Sequence, residues 1–198
     1  MTPPLGKKYY FCPNNSVPNM KNIKLYDKEF RIFIEAAQID HVISRMAKQM
    51  NKDLQYDKPL FLSILNGSFM FTSDLIKQIT IPGTQISFVK VASYTGTSST
   101  GEVKELIGLK EDILGRTVVI LEDIIDSGRS MNHLLDYLKG KSPEKVVVAT
   151  LFHKPKALVC PVPIDYAGIE LENDFVVGRG LDYDGLGRNY PDLYILNS

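Results

Sequence analysis

The segment Thr117–Met131, TVVILEDIIDSGRSM, decides the fold class of this chain. Its first five residues are β-branched or aliphatic, which is typical of a strand that is buried on both faces. Glu122 and Asp123 follow directly, and two adjacent carboxylates are unsuited to a core without a binding partner. A turn of small residues then leads into a helix. A strand, a turn and a helix in this order predict a parallel α/β sheet, whose carboxyl edge is where such folds bind ligands.

The rest of the chain repeats this alternation of helices and short apolar strands. Spacing of apolar residues at i, i+3, i+4 and i+7 predicts a helix over 35–51, and a second helix follows over 69–79. Apolar runs predict strands over 60–65, 86–92, 117–121 and 145–151. After residue 155 the pattern changes to short strands, at 164–169, 175–177 and 193–196. We therefore predict an α/β fold with a mostly parallel sheet flanked by helices and a small cap, or hood, of short strands.

Length and composition limit the domain organisation and the partners. The chain has 198 residues, 44% of them apolar and 23% charged, which fits one globular domain and excludes a disordered chain or a coiled coil. We assign an N-terminal arm to 1–20 and one domain to 21–198, with its core at about 35–155 and its hood formed largely by 156–198. The formal net charge of zero argues against nucleic acid as a partner.

Cysteine content and hydropathy indicate the compartment. Cys12 and Cys160 are the only cysteines and lie in no C-x-x-C pair, which argues against a disulfide framework or a zinc ribbon. The longest apolar runs are about six residues, far below the ~20 that span a bilayer. Residues 1–20 lack the apolar centre of a signal peptide. We expect a reduced, soluble, cytoplasmic protein that does not bind a membrane.

The turn after the acidic pair has the composition of a phosphate cradle. Asp126, Ser127, Gly128, Arg129 and Ser130 bring small residues and hydroxyls to a helix N-terminus, where backbone N–H groups and the helix dipole favour an anion. Carboxylates beside a phosphate site suit a ligand that also carries ribose hydroxyls and Mg²⁺. A single such acid would more often be a helix cap or a solvated side chain, but the complete run favours a binding site.

This run resembles the phosphoribosyl diphosphate (PRPP) motif of type I phosphoribosyltransferases, and its centre, Ile124-Ile125-Asp126, resembles the hypoxanthine-guanine branch. The resemblance covers roughly residues 25–198 and implies the fold predicted above. It assigns Asp126 as the catalytic base near purine N7. It assigns Glu122 and Asp123 to the ribose hydroxyls and to Mg²⁺. The PRPP phosphate would lie on Ser127, Gly128, Arg129 and Ser130.

The resemblance also implies a purine site formed by residues later in the chain. Phe175 would stack on the base, Lys154 would donate to O6, and the backbone of Val176 would contact the opposite ring edge, with Ile124 also at the base. Asp182 would ligate Mg²⁺, and Arg188 would approach pyrophosphate. Taken singly, Phe175 fits a core position and Lys154 and Arg188 fit surface positions; the ordered match favours the site.

Two loops complete the implied site. Leu65, Asn66 and Gly67 follow the first core strand, where the family binds pyrophosphate, and the resemblance implies a cis Leu65–Asn66 peptide bond. Many relatives carry Lys where this chain has Asn66, so the loop lacks that cation. Ser93 and Tyr94 begin a segment, 93–104, that resembles the catalytic lid of the family; its composition also fits a plain flexible loop.

The implied reaction is Mg²⁺-dependent transfer of the phosphoribosyl group from PRPP to hypoxanthine or guanine, giving IMP or GMP and pyrophosphate. Two alternatives stay open at this stage. One is a phosphoribosyltransferase with another acceptor, such as xanthine or a pyrimidine. The other is a non-catalytic sensor of PRPP or nucleotides on the same fold. The resemblance further implies a homodimer or homotetramer.

Overall fold

The structure is a computed structural model that describes residues 21–91 and 106–197. Within these residues it contains ten strands and three α-helices. The strands are β1 (Asn22–Leu25), β2 (Lys28–Ile34), β3 (Leu60–Leu65), β4 (Gln85–Val91), β5 (Leu106–Ile107), β6 (Thr117–Ile125), β7 (Lys145–His153), β8 (Tyr166–Glu170), β9 (Val176–Val177) and β10 (Leu193–Leu196). The helices are α1 (Ala36–Asp53), α2 (Phe69–Ile76) and α3 (Arg129–Lys139).

The main sheet has the strand order β5-β4-β3-β6-β7-β8. Its five longer strands are parallel, and β5 pairs antiparallel at one edge. Helices α1 and α2 pack on one face and α3 packs on the other. Because both faces are covered, the central strands are apolar at successive positions rather than alternating ones. The predicted α/β class with a mostly parallel sheet is confirmed.

Alternate residues of the central strands build two separate cores. Val118 and Ile120 of β6 point toward Leu134 and Leu138 of α3. The intervening Val119 belongs to the larger core beneath α1 and α2. Burying one such side chain contributes about 1.5–3 kcal/mol relative to leaving it exposed. These cores fix the carboxyl ends of β3, β6 and β7 at one edge of the sheet.

The cap is an antiparallel sheet with the strand order β1-β2-β10-β9. It has a small core of its own around Phe30, Val177 and Tyr194. This corrects the predicted hood, because half of its strands come from residues 22–34, and β8 within 156–198 pairs parallel with β7 in the main sheet. Short strands carry little periodicity, so their partners are set by packing: Tyr166 and Ile169 pack on the core beneath α1.

The strand that carries the acidic pair is longer than its apolar run. We predicted its end at residue 121, yet β6 continues through Glu122 and Asp123 to Ile125. Ladder pairing with β7 aligns Glu122 with Thr150 and Ile125 with His153, so backbone hydrogen bonds hold the acidic residues in the sheet. α2 ends at Ile76, three residues before the predicted end. Among the described residues, no helix is both long and apolar enough to cross a membrane.

Candidate active site

The turn between β6 and α3 has a fixed shape. Gly128 has φ = 77°, a left-handed conformation that favours glycine, and a Cβ there would overlap the carbonyl oxygen of Cys160. The carbonyl oxygen of Ser127 accepts two backbone N–H groups from residues 159–160, at 3.0 and 3.1 Å. The four predicted phosphate-binding residues therefore lie together at the start of α3. They are Ser127, Gly128, Arg129 and Ser130.

A cavity of about 130 Å³ opens beside this turn. It is bounded by the end of β6 and the first turn of α3. Its lining residues are Glu122, Ile124, Ile125, Asp126, Ser127, Gly128, Ser130 and Met131. The structure thus brings predicted ribose, base and phosphate residues to one cavity. Backbone N–H groups at a helix N-terminus beside carboxylates suit a ligand that carries both a phosphate and hydroxyls.

Asp123 is buried, Glu122 is partly buried, and the pair has few hydrogen-bond partners. Asp123 is 8% exposed, and its Oδ1 accepts the backbone N–H of Ile124 at 2.9 Å. Burial raises the pKa of Asp123 to about 6, although that hydrogen bond and the charge of Arg188 act in the opposite direction. Burial, and then the charge of Asp123, raise the pKa of Glu122 well above its usual value. Its Oε2 is enclosed and has no hydrogen-bond partner in the described part of the chain. A ligand that supplies hydroxyl donors or a cation would satisfy both carboxylates.

The loop after β3 closes against these carboxylates. The Leu65–Asn66 peptide bond is cis, which confirms the prediction for it. Gly67 lies so near Asp123 that a Cβ on Gly67 would overlap the carboxylate. Beneath the loop, the hydroxyl of Ser63 is hydrogen bonded to the hydroxyls of Ser68 and Thr72 at 2.8 Å each. This buried network fixes the loop to β3 and α2.

Arg188 and Asp182 lie between β9 and β10 of the cap, near the carboxylate of Asp123. Arg188 Nη2 lies 2.7 Å from Asp182 Oδ1, and Arg188 Nη1 donates to the carbonyl oxygen of Gly180 at 2.8 Å. Asp182 Oδ2 accepts the N–H of Gly185 at 2.7 Å. Both charges act on Asp123: that of Arg188 lowers its pKa and that of Asp182 raises it. The predicted pyrophosphate residues therefore lie around the acidic pair.

Lys154 and Asp126 face each other at the other side of the cavity. Lys154 Nζ lies 3.8 Å from Asp126 Oδ2, with the Lys154 side chain 10% exposed and that of Asp126 56% exposed. Lys154 follows β7, and its backbone N–H donates to the carbonyl oxygen of Ile125 at 2.9 Å. The pair thus consists of a buried donor and an accessible acceptor, each directly after one of two adjacent strands.

Phe175 lies in an aromatic cluster within the cap. Phe175 is 43% exposed. Its ring packs edge-on against Tyr183, with centroids 5.8 Å apart, and tilted against Phe30, with centroids 6.2 Å apart. Lys28 Nζ lies 4.8 Å from the Tyr183 centroid and 5.7 Å from that of Phe175. These contacts leave ring surface available for stacking while fixing its plane. Val176, the next residue, is buried and begins β9, the edge strand of the cap sheet, where it pairs with Ile195 of β10.

Several contributing residues were missed at the sequence level. Lys28 and Phe30 belong to β2, and nothing in the local pattern links them to Phe175; only the cap sheet does so. Arg179, a buried cation between two glycines, also carried no periodic signal. The family resemblance gave a role to Asp182 but none to the next residue, Tyr183. Ser93 and Tyr94, the predicted lid residues, lie outside the described residues.

The residues present fit a magnesium ion that is shared with a substrate. Glu122, Asp123 and Asp182 offer oxygen ligands, which Mg²⁺ prefers, and Glu122 Oε2 lacks any other partner in the described chain. No group of three or more His, Cys, Asp or Glu in residues 21–91 and 106–197 could hold a metal by itself. Mg²⁺ is commonly bound by one or two carboxylates together with substrate phosphates. The carboxylates are compatible with that mode.

Two carboxylates at the end of a strand, followed by a glycine turn at a helix N-terminus, suit a ligand that combines a phosphate with hydroxyls. A family model described as the phosphoribosyl transferase domain matches residues 35–184. The chain belongs to this family.

Proteins similar to this chain include hypoxanthine-guanine phosphoribosyltransferases. The hypoxanthine-guanine phosphoribosyltransferase of Streptococcus pyogenes is 40% identical over 153 residues, which cover 77% of this chain and 84% of that protein. That of Dictyostelium discoideum is 37% identical over 166 residues, covering 82% and 90%. A crystal structure of a hypoxanthine phosphoribosyltransferase from Staphylococcus aureus has a TM-score of 0.78 at 32% identity, covering 93% of this chain and 97% of that one.

Proposed function

We propose that this phosphoribosyltransferase acts in purine salvage, moving the phosphoribosyl group of PRPP to N9 of hypoxanthine or guanine. The products are IMP or GMP and pyrophosphate. The observation that carries this proposal is the pairing of Asp126 with Lys154, 3.8 Å apart, beside a cavity that is also lined by Glu122 and by the turn at Ser127 and Gly128. The named activity of the relatives supports the same reaction.

The sugar phosphate binds at the end of β6. Ser127, Gly128, Arg129 and Ser130 hold the 5′-phosphate at the start of α3. Glu122 and Asp123 accept hydrogen bonds from the ribose hydroxyls and so fix C1 relative to the base. Their burial supports this role, because buried carboxylates gain more from a hydroxyl donor than solvated ones do.

The base binds between the end of β7 and the cap. Phe175 stacks on the purine, Ile124 lines the site, and the backbone of Val176 contacts the ring edge. The buried ammonium of Lys154 donates to O6, so a 6-amino group in that position is rejected. Asp126 accepts the proton from N7, and its greater exposure leaves it free to do so.

The leaving group departs toward the cap. As the C1–O bond breaks, C1 gains oxocarbenium character and pyrophosphate gains negative charge. Backbone N–H groups of 65–67 and the guanidinium of Arg188 stabilise that charge. Mg²⁺, held by Asp182 with Glu122 and Asp123, would supply further charge neutralisation when bound. By resemblance alone, Ser93 and Tyr94 belong to a lid that excludes water from the activated sugar.

The proposal extends to assembly and location. A homodimer or homotetramer in the cytoplasm is consistent with the resemblance and with the expectations from composition. Small molecules are the partners: PRPP, a 6-oxopurine, the nucleotide product and pyrophosphate.

The test is an assay with PRPP and Mg²⁺ against hypoxanthine, guanine, xanthine and adenine, following nucleotide and pyrophosphate together. We expect turnover with hypoxanthine and guanine and none with adenine; xanthine decides whether the acceptor range is wider. Equal turnover with adenine would contradict the role of Lys154. PRPP binding without turnover of any base would favour the alternative function, a non-catalytic sensor of PRPP or nucleotides.

A further inference from the structure

Arg179 is a buried cation in the turn that follows β9. Its side chain is 4% exposed. Nη2 donates to Asp40, and also to Asp74 at 2.7 Å, while Nη1 donates to the carbonyl oxygen of Pro191 at 3.2 Å. Asp40 lies in α1 and Asp74 lies in α2. One guanidinium therefore ties the cap to both helices on that face of the main sheet.

The choice of an arginine here is not explained by packing alone. The guanidinium is buried, while the side chains of Asp40 and Asp74 are 59% and 26% exposed. Burying one charge of an ion pair adds little net stability compared with an apolar side chain of similar volume, but the planar guanidinium fixes the direction of its donors. The backbone at Arg179 has φ = 50°, between Gly178 at 96° and Gly180 at 102°. A left-handed conformation is uncommon at arginine and needs surrounding contacts to hold it. The ion pairs supply those contacts.

Gly180, the residue after Arg179, connects this ion-paired turn to the candidate site. Gly180 lies against the loop after β3, where a Cβ on it would overlap the carbonyl oxygen of Gly67. Gly180 also exchanges two hydrogen bonds with Arg188: its N–H donates to the Arg188 carbonyl oxygen at 3.0 Å, and its carbonyl oxygen accepts from Nη1 at 2.8 Å. A shift of Arg179 would thus move Gly67 and Arg188 together. Asp126 and Lys154 directly follow β6 and β7, and they make none of these contacts.

We propose that Arg179, through Asp40 and Asp74, is a positioning residue for the pyrophosphate half of the site. It holds the 178–182 turn on α1 and α2, and that turn sets the places of Gly67 and Arg188. The inference rests on the proposed function, because pyrophosphate is the ligand assigned to these two groups. The proposal divides the site into two halves. The ion pairs of Arg179 fix the groups that bind pyrophosphate, and they leave the contacts to the base unchanged.

The test uses the full chain and the variants Arg179→Met and Arg179→Lys. Calorimetry measures binding of inorganic pyrophosphate in the presence of Mg²⁺, and steady-state kinetics give KM for PRPP and for hypoxanthine. For Arg179→Met we expect pyrophosphate binding weaker by about tenfold and a similar rise in KM for PRPP, because small displacements of binding groups are costly. KM for hypoxanthine should stay within about twofold, because Lys154 follows β7, and Phe175 and Val176 are held by Phe30 and by pairing of β9 with β10. Arg179→Lys should be intermediate, because a single ammonium can pair with the carboxylates but offers no second nitrogen to the carbonyl oxygen of Pro191.

A stability control separates positioning from general weakening. Leu54→Ala removes a buried side chain at the opposite end of α1 from Asp40, and it should lower Tm while leaving pyrophosphate binding at the wild-type value. Should Arg179→Met fail to fold, Asp74→Asn keeps the arginine and one carboxylate and should show the same selective loss in smaller degree.

Three results would overturn the inference. These are wild-type pyrophosphate binding in Arg179→Met or, where that variant does not fold, in Asp74→Asn; equal weakening in Leu54→Ala; and a parallel rise in KM for hypoxanthine. The proposed function fails in a different way: the wild-type chain would then bind pyrophosphate without turning over a base, and the calorimetry would still measure the role of Arg179.

Discussion

The two halves of the site differ in how their residues are spread along the chain. The phosphate half lies within a single segment, Thr117–Met131, in which a strand, a turn and the first helical turn follow one another. The base half is assembled across the molecule: Tyr183 donates to Asp27, 156 residues away in sequence, and Phe175 rests on Phe30. The phosphate half therefore depends on backbone geometry, whereas the base half depends on side-chain packing. Substitutions should therefore affect the two halves differently.

The largest effect should come from Asp126, the residue that connects the two halves. Asp126→Asn should lower kcat by about 10²–10⁴-fold because an amide cannot accept the proton from N7, and KM for PRPP should stay near the wild-type value. Steady-state kinetics with hypoxanthine measure both constants. Asp136→Asn, an exposed acid on α3, is the matched control and should be unchanged. A fully active Asp126→Asn enzyme would remove this residue from the mechanism.

The second effect tests backbone geometry near the acidic pair. Gly67→Ala should lower kcat/KM for PRPP by about a hundredfold, because the new Cβ overlaps the carboxylate of Asp123 and displaces the loop. Gly140→Ala is the control: its φ is −61°, and the nearest atom to the new Cβ is 3.4 Å away. Unchanged PRPP kinetics in Gly67→Ala would argue against contact between the loop and the leaving group.

The third effect is on stability and follows from burial of Asp123. Its folded pKa is raised from 3.8 to about 6, so the folded protein retains a proton that the unfolded chain releases between these values. The contribution of Asp123 to the unfolding free energy is therefore highest below pH 3.8, falls as the pH rises to about 6, and stays low above that pH.

Asp123→Asn removes the loss of unfolding free energy that ionisation of the buried Asp123 causes, which is up to about 3 kcal/mol. Ligand-free Asp123→Asn should be more stable than wild type at pH 7.5 and should lose that advantage by pH 4. Denaturant titrations at both values measure this, and a gain that did not depend on pH would contradict the assignment.

The fourth effect concerns recognition of the base. Lys154→Met should raise KM for hypoxanthine roughly tenfold to a hundredfold, since a charged hydrogen bond contributes about 1.5–3 kcal/mol. KM for PRPP should not change. Lys156→Met is a suitable control, because Lys156 lies two residues away and pairs at the surface with Glu172. Equal changes in both KM values would show that Lys154 supports the fold rather than the base.

The smallest effect should come from the stacking platform. Phe175→Leu retains an apolar side chain and loses the π-face, so KM for hypoxanthine should rise roughly two- to tenfold. Lys28→Met should change the same constant less, because it removes an ammonium 5.7 Å from the Phe175 centroid and keeps the Phe175 ring itself. A larger effect for Lys28→Met than for Phe175→Leu would mean that the ammonium itself contacts the base.

The same contrast explains what the sequence could predict. The central strands, α1 and the acidic turn were predictable because apolar periodicity and turn composition are local signals. The extension of β6 to Ile125 was not, because only pairing with β7 holds Glu122 and Asp123 in a strand. The cap was the hardest part: β9 has two residues, and its neighbour in the sheet, β10, is joined in turn to β2 from the start of the domain. Arg179 likewise acquires its role only from helices more than a hundred residues earlier.

The central claim is that one nucleotide spans both halves, and a crystal structure of the chain with GMP tests it most directly. The account predicts the phosphate at the Ser127–Ser130 turn, the ribose hydroxyls at Glu122 and Asp123, and the purine stacked on Phe175 with O6 at Lys154. A GMP molecule held by its phosphate with the base directed away from Phe175 and Lys154 would contradict it.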